Sequence, residues 1–196
     1  RIALIAHLLI PPALIPGGAL TGAVFAHEMG FAFFWLRSPY MASRPPQSYA
    51  AGTGETCMDL AFEEARAAAA RGEAPVGAVL VAADGTIAAR AGNRTREHSD
   101  PTAHAEILAI REACRRAGSE RLAGFDLYVT LEPCPMCAAA ISFARIRRLY
   151  YGAGDPKGGG VESGPRIFAQ PTCHHRPEIY PGIRETEAAD LLRSFF

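Results

Sequence analysis

The sequence predicts a layered α/β domain built on a mixed sheet, and three observations lead to it. Short apolar runs suited to strands alternate with segments of helical character, in the order α-β-β-α-β-α-β-loop-β-α. Asp84-Gly85 between two of those runs is a hairpin turn. Hydrophobic residues make up 49% of a 196-residue chain, enough for one real core with some surplus.

Taken in order, Thr56 and Asp59 are spaced as a capping box that opens a helix. The helix runs through Leu60, Ala61 and the alanines to Ala70, and Gly72 stops it. Val76–Ala82 and Thr86–Ala91 form the hairpin. Asp100 reads as an N-cap with Pro101 at the first helical position, for a helix reaching about Arg116 and ending at Gly118. Leu127–Leu131 is a strand, and Cys134-Pro135 opens a helix to about Arg145. Arg148–Ala153 is a strand, residues 154–177 a Gly/Pro-rich loop, Glu178–Ile183 a last strand and Glu185–Phe196 a last helix.

Residues 1–57 are of another kind and are expected to lie outside the domain, which is placed at 58–196. No Asp, Glu, Lys or Arg occurs from Ile2 to His27, yet Pro11, Pro12, Pro16, Gly17 and Gly18 interrupt the stretch and argue against a spanning helix. Arg1, the apolar Ile2–Ile10 and Val24-Phe25-Ala26 have the layout of a signal peptide. Against export stand the five cysteines, an odd number with no disulfide-ladder spacing, which suit a reduced, cytoplasmic protein holding a metal. The formal net charge is zero, so no global basic field attracts nucleic acid, and any RNA contact must be local. Lys157 is the only lysine.

The chemistry sits in three segments: Gly92-Asn93, His104-Ala105-Glu106, and Pro133-Cys134-Pro135-Met136-Cys137. A catalytic zinc takes three protein ligands and leaves a fourth position open. His104, Cys134 and Cys137 supply three, and the two cysteines, three apart at a helix start, share one face. Glu106 is then the general acid/base, not a ligand, moving a proton from water to the ring and the leaving amine. Cys-x-x-Cys alone is more often a structural zinc half-site or a redox pair. Cys114 falls on the apolar stripe of Ile107 and Ile110. Cys173-His174-His175 is read as loop packing, and Arg145, Arg147 and Arg148 as a dipole-complementing helix end or a phosphate contact.

The His-x-Glu and Pro-Cys-x-x-Cys pair is the signature of zinc-dependent nucleobase deaminases. Together with Pro75–Val81, Asp100–Glu106, Tyr128–Cys137 and Gly152–Gly158, it resembles the bacterial tRNA-specific adenosine deaminases from about Met58 to Phe196. The resemblance implies a three-layer α/β/α cytidine-deaminase-like fold with a mixed five-stranded sheet. It implies one Zn2+ per subunit, a homodimer without membrane attachment, and conversion of the wobble adenosine of a tRNA anticodon loop to inosine. It assigns Asn93, Ala105 and Asp155 to substrate, Asn93 to the flipped base and Asp155 near the ribose, and places Phe195 and Phe196 beside the RNA. Two other readings stand beside it: a guanine or other free-base or nucleoside deaminase of the same fold, and a non-catalytic zinc-stabilised RNA-binding module.

Overall fold

The computed structural model describes residues 56–196, and the readings of the preceding segment lie outside them. Helix α1 is Cys57–Ala70, followed by strands β1 (Gly77–Val81) and β2 (Ile87–Gly92) and helix α2 (Ala105–Ala117). Strand β3 (Asp126–Leu131), helix α3 (Pro135–Phe143) and strand β4 (Arg148–Ala153) come next. A 3-10 turn at Ile167–Ala169, strand β5 (Glu178–Tyr180) and helix α4 (Glu185–Phe195) complete the order.

The five strands form one mixed sheet in the order β2-β1-β3-β4-β5. β1 pairs antiparallel with β2 and β3, whereas β3–β4 and β4–β5 are parallel. Side chains alternate across it with period two. Ala78, Leu80, Leu127, Val129, Leu149 and Tyr151 point into a core with α2 and α3. Val79, Val81, Tyr128 and Tyr150 point the other way, into a core with α1 and α4. The result is the three-layer α/β/α arrangement expected.

Local chemistry explains the elements. Thr56 Oγ1 accepts from the Asp59 N–H at 3.2 Å and the Thr56 N–H donates to Asp59 Oδ2 at 2.9 Å, so the capping box is formed. Helix α1 lies close on the hairpin because Gly77 has no side chain; a Cβ there would meet the Ala61 carbonyl at 2.0 Å. Tyr128, Tyr150 and Tyr180 occupy one register across β3, β4 and β5. Their rings stack at 4.4 and 4.7 Å, a ladder of aromatic pairs each contributing about 0.5–1.5 kcal/mol.

Three expectations need correction. Helix α2 does not start at Asp100–Pro101 but at Ala105, with His104 at the N-cap. Asp100 Oδ1 instead accepts from the Thr102 N–H (2.8 Å) and hydroxyl (2.7 Å), closing a local turn that competes with the helix. Helix α3 stops at Phe143, since Arg145 adopts a left-handed φ of 59°. β5 stops at Tyr180, ahead of Pro181 and of Gly182 at φ 76°.

Candidate active site

Two helices meet by their N-termini, and each donates its N-cap residue to the site. His104 caps α2 and Cys134 caps α3, neither making a side-chain cap hydrogen bond. Cys137 lies one turn into α3 and is fully buried. Cys134 Sγ and Cys137 Sγ each lie 3.6 Å from His104 Nδ1. All three potential ligand atoms fall within 4.8 Å of one another, and no other such His/Cys/Asp/Glu group occurs among the described residues.

This geometry fits zinc. Tetrahedral coordination with Zn–S near 2.3 Å and Zn–N near 2.0 Å puts sulfur and nitrogen about 3.5 Å apart. The observed 3.6 Å spacings match that requirement. The donor set of one imidazole and two thiols suits it, and the positive ends of two helix dipoles favour thiolate. The Cys137 thiol and His104 hydrogen-bond to Cys134 and hold it down at about 4. The same thiolate pushes Cys137 up and raises His104.

Glu106 sits in the first turn of α2, 3% exposed. Among the described residues its Oε2 is the one buried side-chain oxygen or nitrogen without a partner. Burial pushes its carboxyl pKa up, against the pull of its own backbone N–H and of His104. A buried, unsatisfied carboxylate is costly to the fold. Beside three metal ligands it has the marks of a group kept for proton transfer.

Asn93, at the end of β2, reaches across to α2: its Oδ1 accepts the Ala105 N–H at 2.8 Å. A residue twelve positions away thus supplies the cap that His104 forgoes. The Asn93 Nδ2 keeps no partner among the described residues and is free to donate. Ala105 itself is fully buried, and its N–H is committed to Asn93.

Asp155 is brought to the same end of the sheet by another carboxylate, Glu132, which the sequence reading passed over. Glu132 directly follows β3, two residues before Cys134, and is 3% exposed. It accepts from the N–H groups of Asp155, Val161, Glu162 and Ser163 and from the Ser163 hydroxyl, at 2.8–3.1 Å. Burial raises its pKa, but these donors outweigh burial and hold it below the ordinary value. Gly160 closes the loop onto the metal turn, where a Cβ would strike Pro135 N at 2.6 Å. The Asp155 side chain turns back on its own loop, accepting from the Lys157 and Gly158 N–H groups. The signal available in the sequence was an acidic residue at the end of an apolar strand, next to Pro133.

Cys114 packs at the edge of the α2/α3 core, and burial raises its thiol. Cys173-His174-His175 ties the long loop to the end of α3. The His175 N–H donates to Ser142 Oγ at 3.0 Å, and its Nε2 to the Ile146 carbonyl at 2.7 Å.

Comparison with known proteins decides the family. A family model, the cytidine and deoxycytidylate deaminase zinc-binding region, matches residues 52–153. The tRNA-specific adenosine deaminase of Agrobacterium fabrum is 68% identical over 139 residues, 71% of this chain and 91% of its own. The chain belongs to this family of zinc-binding deaminases. The tRNA-specific adenosine deaminase of Bacillus subtilis is 44% identical over 142 residues, 72% of this chain and 88% of its own. A structure from work on A-to-I editing by tRNA:A34 deaminases at the wobble position superposes with a TM-score of 0.68 at 68% identity. It covers 69% of this chain and 98% of that one. Guanine deaminase from Nitrosomonas europaea, 23% identical with a TM-score of 0.63, covers 78% of this chain and 93% of that one and shares the fold. In this deaminase no helix among the described residues is long and apolar enough to cross a membrane.

Proposed function

We propose that this deaminase converts adenosine to inosine by hydrolysis at the wobble position of tRNA. The observation that carries the chemistry is the buried Glu106 carboxylate, with its Oε2 unpartnered, beside His104, Cys134 and Cys137. The identity to tRNA-specific adenosine deaminases supports the substrate. Bound zinc supplies a Lewis acid that lowers the pKa of water to about 7. Glu106 takes one proton from the attacking water and passes it to the purine ring nitrogen, then takes the proton of the hydroxyl added at the reacting carbon and delivers it to the amino group, which leaves as ammonia as the carbonyl forms. The Asn93 Nδ2 donates to the flipped base, and Ala105 walls the pocket. The loop carrying Asp155, held by Glu132, lies against the ribose of the substrate strand. An unstacked anticodon-loop base is cheaper to seat than a paired one. The enzyme is read as a cytoplasmic homodimer.

The test is inosine formation in an anticodon stem-loop, set beside ammonia release from free adenosine, guanine and cytidine. Stem-loop turnover well above that of the small molecules is expected. Faster turnover of guanine or free adenosine would replace the tRNA assignment, and no turnover of any of them by the zinc-loaded protein would leave a binding module.

A further inference from the structure

The described part of the molecule neutralises most of its arginines internally. Arg66 pairs with Glu187, Arg90 with Glu64, Arg94 with Glu97 and Arg116 with Glu112. One cluster of arginines departs from this. An open hollow of about 530 Å³ is walled by Arg121, Arg145, Arg147, Arg176, His175 and Glu178.

Its two nearby acids are already engaged. Asp126 is held by Arg147 through two hydrogen bonds of 2.9 Å, and Glu178 by Arg148 at 2.9 Å. Three guanidiniums remain in excess. Arg145 donates only to the His174 carbonyl, at 2.6 Å. Arg121 meets only its neighbour Glu120 at 3.4 Å, with side chains 67% and 83% exposed, a pair of little worth. Arg176 is exposed and has no partner among the described residues. His175 is pinned with its Nε2 on the Ile146 carbonyl, so the wall around Arg176 is ordered.

The hollow lies at the opposite end of the sheet from the metal ligands. Asp126, Arg148 and Glu178 open the parallel strands β3, β4 and β5, whereas Cys134 follows the far end of β3. Six strand residues set the two places about 20 Å apart. Forked guanidiniums in excess over carboxylates select phosphate oxygens, and the hollow is open and larger than one phosphate group, which suits a backbone segment.

We propose that this arginine-lined hollow is a second RNA contact, binding backbone phosphates of the tRNA stem while the anticodon loop occupies the zinc end. The inference rests on the tRNA reading above. It gives a protein of zero net charge a local anchor for a polyanion.

The experiment compares the zinc-loaded full chain with R121A/R176A. Both side chains are exposed and stand outside the catalytic machinery, so melting temperatures should agree. Binding of full-length tRNA is measured between 50 and 200 mM salt. A loss of about 5- to 20-fold in affinity and a salt slope shallower by about 1–2 are expected, since each phosphate contact contributes roughly 0.7–0.9 to the slope. The kcat of an isolated anticodon stem-loop at saturating concentration should stay at the parent's value, because the two arginines lie away from the zinc end. Equal affinity and slope for both proteins on full-length tRNA would overturn the proposal. So would stabilisation of the parent alone by inorganic phosphate with tRNA binding unchanged, which would mark a site for a free anion. Failure of the parent to deaminate the stem-loop would instead strike the functional reading, because the binding comparison does not depend on turnover.

Discussion

Asn93 carries two duties through two different atoms, and substitutions can separate them. Its Oδ1 caps α2 through the buried Ala105 N–H at 2.8 Å, and its Nδ2 is the proposed donor to the base. Asn93→Ala removes both. Loss of an N-cap acceptor costs about 0.5–2 kcal/mol, and a buried donor left unsatisfied about 1–3 kcal/mol. The site is 6% exposed, so water cannot easily take over, and a loss of about 2 kcal/mol is expected. For a domain of this size that is a fall of about 6–10 °C in Tm. Asn93→Asp keeps an acceptor at the helix N-terminus, where a negative charge is favourable. Its Tm should stay within about 2 °C of the parent. It loses the Nδ2 donor, so kcat/KM on the stem-loop should fall about 10- to 100-fold, the value of one substrate hydrogen bond of about 1.4–2.8 kcal/mol. Thermal melts and stem-loop kinetics on both variants decide the matter. An Asn93→Asp protein with undiminished kcat/KM would refute the Nδ2 assignment, and an Asn93→Ala protein melting with the parent would refute the cap.

Glu106→Ala should retain zinc at one ion per chain by metal analysis while losing about 10²- to 10⁴-fold in kcat; loss of the metal would make Glu106 a ligand. Glu73, 1% exposed, is pushed up by burial but pulled further down by the Glu97 and Arg96 N–H groups and the Thr95 hydroxyl. Its folded pKa lies below the unfolded value, so its contribution is present above about pH 4.5 and is lost as pH falls through the folded value. Glu73→Gln should therefore lower Tm at pH 7 and flatten the acid limb of the Tm–pH curve; parallel curves would count against the assignment. A protein begun at Met58 discards the Thr56 cap and buried Cys57, and should melt several degrees below one begun at residue 52, with loss of about 1–2 kcal/mol. Coincident melts would show that the capping box contributes nothing.

The cluster of His104, Cys134 and Cys137 and the buried Glu106 beside it were legible because their constraint is local. Two cysteines three apart at a helix start, and a His-x-Glu at another, have few other uses in combination. The layered α/β class followed from strand and helix periods of the same local kind. What escaped the sequence depends on partners far along the chain. The start of α2 is set by Asn93, twelve residues upstream of Ala105, and by the Asp100 side chain closing its own turn. The loop of residues 154–177 reads as featureless, yet Glu132 gathers one part of it, and Ser142 and Arg145 the other. Glu73 and Glu132 look like surface acids in one dimension. Their burial follows from the backbone N–H groups that loops bring to them, which no periodicity records.

Placing the first ligand of each helix at the N-cap has a consequence for folding as well as for chemistry. An N-cap residue ordinarily turns its side chain onto the first free N–H groups. His104 and Cys134 turn theirs toward each other instead. At α2 the deficit is met by Asn93. At α3 it is reduced by Pro135 at the first helical position, which has no N–H to satisfy. Glu132 then fixes the strand end from which Cys134 departs, so that ligand is held by a carboxylate that never touches it. Both helix dipoles remain aimed at the place where thiolates and a metal sit, with no capping side chain between. The fold itself thus positions the ligands, and substitutions at Asn93, Pro135 or Glu132 should act on the metal geometry and the fold together.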